Sequence, residues 1–131
     1  MDISKYRLRL RNLFEEQMKL LNIFLGIREL IKGGIYMTRT KCGKKGCKCE
    51  SGKELHSVWR FYRSKEGKTE IKTIDEEKMF KYENYTKNYQ RYRQARAQLV
   101  KLQRQQIKII DLIEKGIRKE KIVHQLFKIR G

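Results

Sequence analysis

The chain has 131 residues, 37% charged and 39% hydrophobic, and its 33 Lys and Arg against 15 Asp and Glu give a formal net charge of +18. That balance permits a single domain over residues 1–131 with a modest core, and no run of about 18 apolar residues offers a membrane span. The opening residues lack the apolar core of a secretory signal, three cysteines in such a chain do not make a disulfide framework, and the absence of proline excludes a Pro-rich disordered chain.

Residues 1–32 read as one long amphipathic helix. Tyr6, Leu10, Leu13, Gln17, Leu20, Phe24, Ile27 and Ile31 follow one another at alternating spacings of 4 and 3. This is a heptad seam with one polar member, Gln17. Ser4 offers an N-cap, and Gly33-Gly34 a stop, because glycine enters the left-handed region without strain. A bare apolar stripe of this kind needs a partner helix.

Residues 33–74 differ in composition, holding six of the nine glycines and all three cysteines. Strands are expected over 35–40, 57–63 and 69–74, the last two joined by a hairpin loop over 64–68 with Gly67 in the left-handed position. Val58, Arg60 and Tyr62 alternate with Trp59, Phe61 and Arg63. So small an antiparallel sheet is marginal without a staple.

Residues 75–116 read as a second long helix. Asp75 supplies a cap, and Glu76 and Glu77 supply negative charge where the macrodipole favours it. Its apolar face runs Tyr82, Tyr85, Tyr89 and Tyr92, slips by one at Ala95, and continues with Leu99, Leu102, Gln106, Ile109 and Ile113. The slip reads as a stammer in a coiled coil. Residues 117–131 form a short basic helix. The expected fold is therefore α+β: a long antiparallel helical hairpin, with a three-stranded antiparallel sheet stapled by zinc at one end and a short C-terminal helix.

The staple is Cys42, Cys47 and Cys49, with His56 seven residues beyond. Three thiols and an imidazole are a full tetrahedral set for zinc. Lys41, Lys44, Lys45, Lys48 and Lys53 offset the negative charge of such a site and favour thiolates. The alternative is three reduced cysteines packing a turn. His124 stands alone on the basic C-terminal helix and reads as a surface residue.

Residues 33 to about 100 also resemble an uncharacterised family of small basic proteins often encoded beside insertion-sequence transposases. The resemblance rests on a strand leading into Cys42-Gly43-Lys44, then Cys47 and Cys49, His56, the aromatic strand Val58 to Tyr62, the Gly67-Lys68 turn, and Asn88-Tyr89 with Arg91. The family usually has Gly-Pro after the His, where this chain has Ser57-Val58. The resemblance implies association with a mobile element and supplies no known activity.

The excess of positive charge is spread along the whole chain. Basic against acidic residues number 7 to 4 over residues 1–32, 11 to 5 over 33–75, 10 to 5 over 76–116 and 5 to 1 over 117–131. A polyanion partner, DNA or RNA, is the leading explanation. Anionic membrane surface or simple solubility is the rival. Lys41, Lys44, Lys45, Lys48, Arg60 and Arg63 are the candidate phosphate contacts, with Trp59, Phe61 and Tyr62 as stacking surfaces. No phosphate loop, catalytic triad or isolated carboxylate pair is present, and a zinc shell closed by four ligands leaves no place for a reacting water. The expectation is a non-enzymatic nucleic-acid-binding accessory protein in the cytoplasm, at the nucleoid if DNA is the partner. The alternative is a coiled-coil scaffold or homodimer serving a transposase or another protein.

Overall fold

The computed structural model describes residues 2–41, 45–47, 52 and 55–128. In chain order the elements are α1 (Ile3–Gly26), β1 (Gly34–Thr40), β2 (His56–Lys65), β3 (Lys68–Ile74), α2 (Glu76–Ile117) and α3 (Glu120–Lys128). The three strands form one antiparallel sheet in the order β1-β2-β3. None of the described helices is long and apolar enough to cross a membrane.

The chain divides into two compact units, one of residues up to Phe24 with those from Ala95 onward, the other of Leu25–Gln94. In the helical unit, Leu13 is 0% and Leu102 2% exposed. Both are seam positions, and Tyr6, Leu10, Gln17 and Leu20 on α1 and Leu99, Ile109 and Ile113 on α2 are half-buried around them. The two polar members of the seams meet: Gln106 Nε2 donates to Gln17 Oε1 at 2.7 Å. Each satisfies the other, and a buried amide left alone would cost about 1–3 kcal/mol.

α1 differs from expectation at both ends. Its cap is Asp2, whose Oδ1 accepts from the Lys5 backbone N–H at 3.2 Å, and Ser4 lies inside the helix. The C-terminal end is Gly26, not residue 32. Within the sheet unit, the backbone beyond Gly26 is bonded to α2 instead of to itself: Asn88 Nδ2 donates to the Glu29 carbonyl and the Ile31 N–H to the Tyr85 carbonyl, both at 3.1 Å. Ile27 and Ile31 keep the heptad spacing and are half-buried without being helical.

Gly33 and Gly34 therefore serve a purpose other than stopping a helix. A Cβ on Gly33 would lie 2.6 Å from the Tyr62 carbonyl oxygen, and one on Gly34 would overlap the Tyr62 ring. The glycines let β1 start flush against β2, where Gly34 pairs with Tyr62.

The hairpin between β2 and β3 is tighter than a five-residue loop. Lys65 pairs with Lys68, leaving Glu66 and Gly67 as the turn at φ 53° and 76°. Two positive φ values in succession are those of a type I′ turn, whose twist matches a right-handed hairpin. α2 begins at Glu76, directly after its cap, and runs one residue past Gly116, which lies inside it. Asp75 caps it, its Oδ1 accepting from the Lys78 N–H at 2.8 Å. In place of one helix from residue 117 onward, α2 runs to Ile117 and α3 starts at Glu120.

In the sheet unit, the first half of α2 buries Met79 and Thr86, and the Thr86 hydroxyl is satisfied by the Glu83 carbonyl at 2.9 Å. Ile35, Trp59, Phe61 and Ile74 share one sheet face and are half-buried. A cavity of about 310 Å³ on that face is lined by Phe61 and Ile74 from the sheet, Ile31, and Lys78 and Tyr82 from α2.

Candidate metal centre and nucleic-acid interface

The sheet register decides where the cysteine segment starts and ends. Thr40, the last residue of β1, pairs with His56, the first of β2, so residues 41–55 leave and re-enter at adjacent strand ends. A turn over Lys45 and Gly46 precedes Cys47, and Gly46 has φ +80°, a conformation that suits glycine. Cys47 Sγ lies 3.0 Å from His56 Nε2. Depending on the imidazole tautomer, the thiol donates to the ring nitrogen or the ring N–H donates to sulfur.

That separation can be tested against a metal. Zn–S of about 2.3 Å and Zn–N of about 2.0–2.1 Å at a tetrahedral angle set S and N roughly 3.5 Å apart. The observed pair is within half an ångström or so of that spacing, and the half-buried thiol faces an exposed imidazole. Cys47 and His56 are therefore close enough to share one ion only after drawing apart by that amount. Cys42 and Cys49 lie outside the described residues. Among the described residues, no three His, Cys, Asp or Glu side chains are grouped as a metal site.

Of the expected phosphate contacts, Lys41 and Lys45 are exposed in the connecting segment, while Lys44 and Lys48 lie outside the described residues. Arg60 and Arg63 stand on opposite sheet faces, since they are three residues apart on one strand. Arg60 is half-buried and pairs across the sheet with Tyr36 and Thr73. Arg63 is engaged with Glu70, its cross-strand partner: Nε and an η nitrogen both reach the same carboxylate oxygen at 2.8 Å. Both side chains are about half exposed, so water screens the pair and its worth is below about 1 kcal/mol. His124 is exposed on α3.

The three aromatics on β2 also separate. Trp59 and Phe61 lie on the face that carries the 310 Å³ cavity, and Tyr62 lies on the other. The partner of Tyr62 is Tyr36, absent from the sequence-based set, with ring centroids 5.8 Å apart and planes tilted by 52°. Both rings are more than a third exposed. The only signal for Tyr36 in the sequence was its alternation with Ile35 and Met37, which has no partner until the register is known.

Residues 6–79 match the family model described as Domain of unknown function (DUF6788). The chain belongs to this family. The matched stretch takes in nearly all of α1, the whole sheet with its cysteine segment, and the capped first turn of α2. The rest of α2 and α3 follow it. No curated protein and no solved structure matches the chain.

Proposed function

We propose that the chain is a small basic nucleic-acid-binding protein with a structural zinc ion, acting in the cytoplasm as an accessory of a mobile genetic element. The observation that carries this reading is the approach of Cys47 Sγ to His56 Nε2 in a segment that also presents Lys41 and Lys45 to solvent. Cys42, Cys47, Cys49 and His56 would hold the ion, closing its shell so that it staples the segment and leaves no open position for catalysis. Lys41, Lys44, Lys45, Lys48 and Arg60 would contact phosphates. Arg63 joins them by exchanging Glu70 for a phosphate. The +18 net charge supports a polyanion partner, and the resemblance of the cysteine motif to transposase-linked proteins supports the mobile element.

We further propose that α1 and the second half of α2 pack antiparallel along their seams, which the Gln17–Gln106 hydrogen bond supports.

Metal analysis of protein purified without added zinc tests the first part. One equivalent per chain is expected, lost in Cys47→Ser, and less than about a tenth of an equivalent refutes the site. Binding to DNA and RNA at 50 and 200 mM salt tests the second. Combined Lys44→Ala, Lys45→Ala and Lys48→Ala should reduce the log–log salt slope by about 2–3 units, roughly one for each lost phosphate contact. No affinity at 50 mM salt refutes nucleic-acid binding. Spin labels at positions 10 and 109 test the pairing: a separation far above about 20 Å excludes it, given helix axes 8–10 Å apart.

A further inference from the structure

The two faces of the sheet are unlike. One carries the cavity lined by Ile31, Lys78 and Tyr82, and with it Arg63, Glu70 and Lys72. The register puts Tyr36, Thr38, Arg60, Tyr62, Thr69 and Ile71 on the other. Two rings stand open there, Tyr36 37% and Tyr62 40% exposed, with Ile71 beside Tyr62 at 53%. Glu70 is the single acidic residue of the three strands, and it lies on the first face, bound to Arg63. The second face therefore has no carboxylate. Its guanidinium, Arg60, pairs in register with Tyr36 and Thr73 and forms no ion pair or hydrogen bond among the described residues.

The surroundings of this face have the same character. Next to Tyr62 it ends in a cavity of about 250 Å³, lined by Ser64 and Thr69 of the sheet and by Lys32, Tyr89 and Gln90. Each of those side chains is a hydroxyl, an amide or a cation. At the opposite end Thr40 and His56 lead to the exposed Lys41. The acids that adjoin the strands lie outside them. Glu66 sits in the turn between Lys65 and Lys68, while Asp75 is tied to the Lys78 N–H as the cap of α2, with Glu76 and Glu77 in its first turn.

One free guanidinium among open rings is a poor match for a duplex, whose bases are stacked inside and whose surface is phosphate. Unpaired bases offer π-faces that stack on aromatic side chains, and edges that hydrogen-bond. From this we infer that the open sheet face binds single-stranded nucleic acid, with bases stacked on Tyr36 and Tyr62, a phosphate on Arg60 and a base edge in the cavity beside Tyr62. From His56 to Ser64 the strand rises about 26 Å, at roughly 3.3 Å per residue. That is enough for a short site of about four nucleotides. The inference rests on the nucleic-acid reading above and adds to it the state of the strand and the surface that holds it.

Fluorescence anisotropy of the full chain tests it, with labelled oligothymidylate and oligouridylate of about 12 nucleotides and a duplex of about 12 base pairs in roughly 150 mM NaCl. Single strands should bind about tenfold tighter than the duplex. Tyr36→Ala and Tyr62→Ala should each weaken single-strand binding about tenfold and leave duplex binding within about twofold, while Tyr62→Phe keeps both. If Tyr62→Ala unfolds, Tyr62→Leu, which keeps most of the volume and loses the π-face, takes its place under the same criterion. Single strands and duplex bound alike overturn the inference, and so do folded tyrosine variants that bind single strands like the parent. Either result leaves nucleic-acid binding to the lysines of the tip. Displacement of the oligonucleotide by polyglutamate at equal charge also overturns it and gives the face to an acidic peptide. No affinity for either form at about 50 mM salt refutes the nucleic-acid reading itself.

Discussion

The two compact units draw on the same helix in different ways. Over its second half α2 buries a large aliphatic residue, Leu102, and an amide, Gln106, whose partner lies on α1. Over its first half it buries Met79 and a threonine, while Tyr82, Tyr85, Tyr89 and Tyr92 are only half-covered. In the helical unit the buried side chains Leu13, Leu102 and Gln106 fall at seam positions. In the sheet unit the backbone itself is engaged, through the hydrogen bonds of Ile31 and Glu29 to Tyr85 and Asn88 of α2 and the flush contact of Gly33 and Gly34 with β2. A side-chain seam tolerates conservative changes of volume; a backbone contact tolerates almost none.

Four substitutions sharpen that contrast. The largest effect is expected from Leu13→Ala, which empties a fully buried site in the seam and should cost about 2–5 kcal/mol. Guanidinium unfolding followed at 222 nm should show it, and a loss under about 1 kcal/mol would mean that Leu13 is not the keystone of the helical unit. Next comes Gly34→Ala. The added methyl collides with the Tyr62 ring, which should cost about 1–3 kcal/mol and show first in the fluorescence of Trp59, the single tryptophan, on the neighbouring strand.

Gln17→Leu should cost about 1–2 kcal/mol by stranding the Gln106 amide, and Gln17→Leu with Gln106→Leu should recover most of it. If the double variant is no better than the single, the two glutamines do not act as a pair. The smallest effect is expected at Arg63→Ala, within about 1 kcal/mol, because its bond to Glu70 is open to solvent. A larger loss would show that the sheet edge depends on that ion pair.

The seam of α1 was legible residue by residue. All eight positions from Tyr6 to Ile31 are covered, because 4-and-3 spacing records which side chains leave water whatever the backbone does between them. For the same reason the spacing could not show where the helix ends: Ile27 and Ile31 satisfy the period, while hydrogen bonds to Tyr85 and Asn88, more than fifty residues away, decide the backbone. The three strands and the hairpin between the last two were legible from alternation and turn residues, but strand order and cross-strand neighbours depend on register. Tyr36 beside Tyr62, and Arg63 on Glu70, are both consequences of it. At the candidate metal centre, the sequence named Cys47 and His56 as residue types and the register brought them to one place.

The pairing of Thr40 with His56 has a consequence for how this protein can change over generations. Because the sheet clasps both ends of residues 41–55, the segment between them can lengthen, shorten or exchange side chains other than its three cysteines without altering the strands that carry it. Doubling the length of such a loop raises the closure cost by only about 0.6 kcal/mol. Selection can therefore rewrite the surface of the tip while the scaffold stays constant, and a grafted segment between Thr40 and His56 that keeps the three cysteines should inherit the same mount.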